Sequence, residues 1–232
     1  MTTTPVRMGD GTALPSQQRW AHRASVLAAV VTGLQVAVTT VDGATRPGYE
    51  PHRHLISHLS LGDRGWLGVV NLSVGAAIVA VLAVALSRAL PPGRAAKWGS
   101  GLVGAAALGL LLAAIFPIDP GLGYPPGSEA SHSATGSIHD FAGMLVFGGL
   151  TAAAAALGRA VGGRRSAAAR WGCAMAFVVA ASFVATSVLL GLEYSGAWPG
   201  APSGLFERIA MYAGLGWITA VAFLARRPAR AR

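Results

Sequence analysis

Asp119 and His139 are the two residues of this chain whose types and settings best suit proton chemistry. Asp119 stands in Phe116-Pro117-Ile118-Asp119-Pro120, where two prolines bias the backbone out of a helix. Its carboxylate is therefore expected at the end of an apolar helix. His139 stands in Ser137-Ile138-His139-Asp140, a capping-box pattern with Ser137 as the expected N-cap. That places the ring at the positive end of a helix dipole, which favours the neutral imidazole. A neutral imidazole can take a proton or bind a metal, and a nearby carboxylate such as Asp119 can orient it. Capping alone accounts equally well for Asp140, and for Asp63 ahead of Gly65-Trp66.

Other residues are better suited to binding than to reacting. Thr32, Gln35, Thr39 and Asp42 share one helix face, and Asn71 lies at a depth comparable to Gln35. Ser182, Thr186 and Glu193 form a second stripe; Arg208, Tyr212, Leu215 and Thr219 form a third. A polar stripe is costly against lipid, so each is expected to face the interior of a bundle. Interhelical hydrogen bonds of about 0.6–2 kcal/mol explain the Ser and Thr residues. Gln35, Asn71, Glu193 and Arg208 remain as candidate ligand contacts, with Arg208 suited to a phosphate or carboxylate.

His52-Arg53-His54-Leu55-Ile56-Ser57-His58 has the histidine density of a metal site. His58, His139 and Asp119 are the candidate ligands, with zinc the candidate ion. Arg53 weakens that reading, and a solvated, pH-responsive loop is the simpler one. His132 is a further candidate or merely loop. No HExxH, Cys-x-x-Cys, phosphate-binding loop or nucleophile elbow occurs.

The elements that must position these residues are six apolar stretches, Ser25–Val41, Trp66–Leu86, Gly101–Ile118, Phe141–Leu157, Trp171–Leu192 and Phe206–Leu224. About 20 residues of helix match the hydrocarbon thickness of a bilayer. The expected fold is all-α, a polytopic membrane protein of six transmembrane helices in three antiparallel hairpins. Residues 1–23 read as a disordered tail, 24–225 as the bundle and 226–232 as a basic tail. An even number of spans puts both termini on one side, which also holds fourteen of the eighteen Lys and Arg residues. The positive-inside rule makes that side the cytoplasm. The opposite side carries eight of nine acids and five of six histidines. The net charge of +9 therefore reads as a topology signal and an attraction to anionic lipid, not as a nucleic-acid surface. The single cysteine, Cys173, reads as a small packing residue, and the Ala-, Gly- and Arg-rich composition points to a bacterial inner membrane.

A weak repeat is also legible. The first helix of each hairpin ends on an acid (Asp42, Asp119, Glu193), and a base opens each second helix (His58, His139, Arg208). These six are expected to converge around one extracytoplasmic mouth.

Taken in order, several motifs resemble domain-of-unknown-function family 998, six-helix bacterial membrane proteins. They are His54-Leu-Ile-Ser57-His-Leu-Ser-Leu-Gly62 before Gly65-Trp66, Asn71-Leu-Ser73, Phe116-Pro117-Ile118-Asp119-Pro120, Gly136-Ser-Ile-His139-Asp140-Phe-Ala142, and Glu207-Arg208. The resemblance spans Ala24 to Leu224 and implies the topology and an extracytoplasmic polar cluster, but no activity. His52, His58 and His132 depart from the family's pattern. The leading expectation is a polar pocket that binds a lipid headgroup or small amphipath. The alternative is a metal-assisted intramembrane hydrolase or other lipid-modifying enzyme using Asp119 and His139. A transporter stands third, since no helix is evidently broken at the midplane.

Overall fold

Long apolar runs separated by Gly- and Pro-rich breaks leave this chain one way to satisfy its backbone, which is helix throughout. The computed structural model describes residues 16–225. Six helices follow one another: α1 (Ser16–Ala44), α2 (Gly65–Ala89), α3 (Arg94–Ile115), α4 (Ala134–Gly162), α5 (Ala167–Tyr194) and α6 (Ser203–Leu224). A 3-10 turn, Ile56–Ser60, interrupts the α1–α2 connection. Among the described residues there is no strand, only an isolated bridge between Gly121 and Tyr124.

Five of the helices are long and apolar enough to cross a membrane: α2, α3, α4, α5 and the His22–Ala44 part of α1. α6 is not among them; its second turn carries Glu207 and Arg208. Sequence neighbours pack on one another, and α6 returns against α1, α2 and α4 as well as α5. The helix that carries Glu207 and Arg208 thus touches four others. Leu82, Leu86, Val103, Val146, Leu150, Leu157, Val179 and Ile218 form the fully buried core. Gly158 and Gly172 let α4 and α5 touch backbone to backbone, as small residues do between helices in lipid. Val26, Leu27, Val30, Leu34, Val38 and Val41 of α1 face outward, as do Phe177, Val184 and Val188 of α5, an exterior suited to hydrocarbon.

Several boundaries differ from the sequence reading. Helix α1 begins at Ser16, within the stretch expected to be a disordered tail, while residues 1–15 and 226–232 lie outside the described residues. Helix α3 stops at Ile115, because Pro117 forces Phe116 into extended geometry (φ −113°, ψ 92°). Asp119 consequently sits in the following loop and not on the helix end. Helix α4 starts at Ala134 with Ser133 as its N-cap, so His139 lies in the second turn and Ser137 is not a cap. Asp63 caps nothing: the α2 N-cap is Arg64, with no side-chain hydrogen bond. Cys173 is exposed, not packed.

Candidate functional site

The polar residues gather at the end of the bundle where the long connections lie, and the α1–α2 connection folds over that end as a cap. Its anchor is an aromatic and histidine cluster of Tyr49, His54, His58 and Tyr124, with ring centroids 5.4–6.3 Å apart. Backbone N–H groups dictate the ring states. The Glu50 N–H donates to His54 Nδ1 at 2.8 Å, so the proton is on Nε2, which donates to the Leu122 carbonyl at 3.1 Å. The Leu55 N–H likewise donates to His58 Nδ1 at 3.1 Å. Burial holds both histidines below their ordinary value, and pushes His58 down to about 3. His54 and His58 are each only 1% exposed, so the expected solvated histidine loop is a buried one. His52 alone of the three is exposed, within 3.8 Å of Glu50.

Arginines fasten the cap. Arg46 lays Nε and Nη2 on Asp42 Oδ2 at 2.9 and 2.6 Å, and gives its remaining hydrogens to the Leu61 and Arg64 carbonyls and to Tyr124 Oη. Burial opposes its charge, but Asp42 and Tyr124 outweigh that and hold it above its usual value. Arg64 lies 3.3 Å from the other Asp42 oxygen. Arg53 pairs with Glu193. Arg208 donates to the carbonyls of His54 and Gly204, both at 2.9 Å, and to Tyr49 Oη. Its guanidinium is thus a staple of the cap, where a contact to a phosphate or carboxylate was expected.

Beside and beneath the cap are four cavities. The largest of interest, about 540 Å³, is lined by His58, Asp119, His132, Asp140 and Tyr194. It shares Leu55, Ile118, Asp140 and Leu190 with a crevice of about 330 Å³ between α4 and α5. The crevice has a polar wall of Ser57, His139, Asp140, Thr186 and Glu207, and an apolar wall of Met144, Phe147 and Phe183. A third cavity, about 40 Å³, also reaches His139 and Glu207. The fourth, again about 40 Å³, lies on the α1–α2–α6 side and holds Gln35, Thr39, Asn71 and Tyr212. There the expected stripes do meet: Gln35 Nε2 donates to the Asn71 carbonyl at 2.7 Å, and Thr39 Oγ1 is 3.2 Å from Tyr212 Oη.

Two prolines explain His139. Pro117 and Pro120 have no N–H, so the carbonyls of Ala113 and Phe116, four residues earlier, lose their helical partners. His139 supplies one. Its Nδ1 lies 2.8 Å from the Phe116 carbonyl, which can only accept, so Nδ1 carries the hydrogen. The ring also interacts with the Ala113 carbonyl. Asp119 does not orient it. Both Asp119 oxygens accept from Ser133, from its N–H and its hydroxyl, each at 2.6 Å. Those bonds hold Asp119 below the ordinary carboxylate range. Ser133 Oγ in turn accepts from the Gly136 N–H at 3.0 Å, so Asp119 braces the N-terminus of α4.

The six residues of the repeat therefore divide among three jobs. Asp42 and Glu193 are ion-paired, Asp119 braces α4, and His58, His139 and Arg208 satisfy backbone groups. Glu207 stands in the sequence only as half of the Glu207-Arg208 motif and not as a site candidate. It is 7% exposed, accepts from the Ile56 N–H that opens the 3-10 turn, and lines the crevice. The signal was present: an acid inside an apolar helix, which a bilayer protein rarely keeps without use. Among the described residues no three His, Cys, Asp or Glu side chains stand together as a metal site.

The same span that builds this cap and crevice matches one family model, described as protein of unknown function DUF998, over residues 16–224. The chain belongs to the DUF998 family. No curated protein and no solved structure matches it. In this DUF998 protein His54, Ser57, Pro117, Asp119, His139 and Glu207, all within the family-like motifs, are the residues that shape the cap and crevice.

Proposed function

We propose that this DUF998 protein is a six-span bacterial inner-membrane protein, with both termini cytoplasmic, whose α4–α5 crevice binds a lipid headgroup or small amphipath at the extracytoplasmic side. The arginine distribution supports the orientation. One observation carries the binding reading: the crevice joins a buried polar wall to an apolar wall and is open at the bundle surface, where Met144 is 54% exposed. A headgroup can reach His139, Glu207 and Ser57 while its chain stays against Met144, Phe147 and Phe183. Sites of a few hundred Å³ with a few convergent polar groups are typical of small-ligand pockets.

The metal-assisted hydrolase reading has less support, because its donors do not fit one ion. Among the described residues no three such side chains stand together, and His58 Nδ1 accepts a backbone N–H, which leaves the ring proton on its other nitrogen.

Gly143 lines the crevice, and a Cβ there meets nothing within 4 Å, so the side chain of Gly143→Leu starts into open space. Mass spectrometry of ligands retained by the detergent-purified chain is the test. The wild type is expected to keep a stoichiometric amphipath that Gly143→Leu loses while still eluting as a folded species. Equal retention by both proteins overturns the reading.

A further inference from the structure

The acids of the capped end are not treated alike. Three are buried: Asp42 at 6% exposed, Glu193 with its side chain at 5% and Glu207 at 7%. Asp42 has Arg46 and Arg64, and Glu193 has Arg53. Among the described residues Glu207 has no ion pair, and its one hydrogen bond, from the Ile56 N–H, goes to Oε2. Oε1 has no hydrogen-bond partner among those residues, although the side chain lines the crevice. Arg208 is its sequence neighbour, yet points to the His54 and Gly204 carbonyls and Tyr49. A buried carboxylate without a cation is expensive, and the usual remedy is a paired charge.

The cavity walls repeat the message. No Lys or Arg lines the crevice, the hollow beside it or the small cavity beneath, while Glu207, Asp140 and Asp119 do. The four arginines at this end are all committed elsewhere. An anionic phosphate would therefore meet carboxylates and no guanidinium. We infer that the crevice takes an amphipath bearing a protonated amine, its ammonium paired with Glu207 Oε1 and its chain against Met144, Phe147 and Phe183. The inference rests on the crevice being a ligand site, and adds the charge and class of what enters it. An ammonium supplies N–H donors to a carboxylate in charge-assisted bonds, and Asp140 at the mouth adds attraction.

Titration calorimetry of the full chain in neutral phosphatidylcholine nanodiscs can decide this, using dodecylammonium, dodecyl phosphate and dodecyl glucoside as probes. The chain's net charge of +9 draws the phosphate non-specifically, so a preference for ammonium cannot come from bulk charge. Dodecylammonium is expected to bind at least about tenfold more tightly than the other two. Glu207→Gln is expected to erase that preference with the chain still folded, and Gly143→Leu to remove binding of every probe. Equal binding of glucoside and ammonium, tighter binding of the phosphate, or an unchanged preference in Glu207→Gln overturns the ammonium inference and leaves the crevice standing as a ligand site. Failure of all three probes to bind in a manner sensitive to Gly143→Leu overturns both readings. Given ammonium preference, displacement of dodecylammonium by discs containing phosphatidylethanolamine identifies a membrane aminolipid as the source. Without displacement the source is a free amphipathic amine.

Discussion

At one corner of the cap Asp42 is shut in by two arginines, while on the neighbouring α6 Glu207 has no ion-pair partner among the described residues. Both carboxylates are buried, and both come from helices that pack on each other. The α1 corner spends its acid on holding the cap down: the guanidinium on Asp42 also ties the Leu61 and Arg64 carbonyls and Tyr124. The α6 acid accepts one backbone N–H, has no hydrogen bond on its other oxygen among those residues, and lines the crevice and the small cavity beneath it. The Asp42 charge is compensated, although its Oδ1 has only the Arg64 ion pair and no hydrogen bond. Glu207 has no such cation and borders open space, which is the ground for the proposed ligand.

The largest effect is expected from Arg46→Leu. It leaves the buried Asp42 with Arg64 alone and takes the donor from the Leu61 and Arg64 carbonyls, costing about 3 kcal/mol, seen as a lower midpoint of thermal unfolding in detergent. A midpoint equal to wild type would break the comparison at its strong end. Acidification comes next. His58 is held near 3 in the fold against 6.5 when unfolded, so the unfolded chain binds the proton first. Stability from this residue is complete above about 6.5 and falls as pH drops from there toward 3, by about 2 kcal/mol at about pH 5. His58→Asn, which keeps an acceptor for the Leu55 N–H, should flatten that dependence.

Arg53→Ala should cost less, about 1–2 kcal/mol, because Arg53 is 27% exposed and water replaces part of its contact with Glu193. Glu207→Gln should cost least, within about 1 kcal/mol, since the amide oxygen still accepts from Ile56. A large loss of stability there would erase the contrast between the two acids, making Glu207 as structural as Asp42.

Much of this was legible in residue order. The helices followed from apolar runs of bilayer length, and α5 and α2 matched within a few residues because nothing at their ends competes with helix geometry. Boundaries slipped where prolines and serines act through partners distant in sequence. Ser137 and Ser133 are equally good caps on paper; Asp119, fourteen residues upstream, selects Ser133 by accepting its hydroxyl. The site was legible in part. His139 and the inward polar stripes were identifiable from type and spacing, and the Gln35 side chain does reach α2, at the backbone carbonyl of Asn71. Glu207 was hidden by its neighbour, because adjacent residues on a helix point about 100° apart and only packing shows which reaches the cap and which the crevice.

Length, apolar periodicity and charge distribution by themselves determined that this chain is a helical membrane bundle with most of its acids and histidines toward one end, since lipid leaves the backbone no other solution. Which arginine meets which acid depended on the α1–α2 connection folding back over α6, a contact between residues about 150 apart in the chain. Only the tertiary structure decided that Asp42 and Glu193 would be neutralised and Glu207 would not. Charge pairing is a matter of ångströms, and sequence spacing controls ångströms only within a single helix.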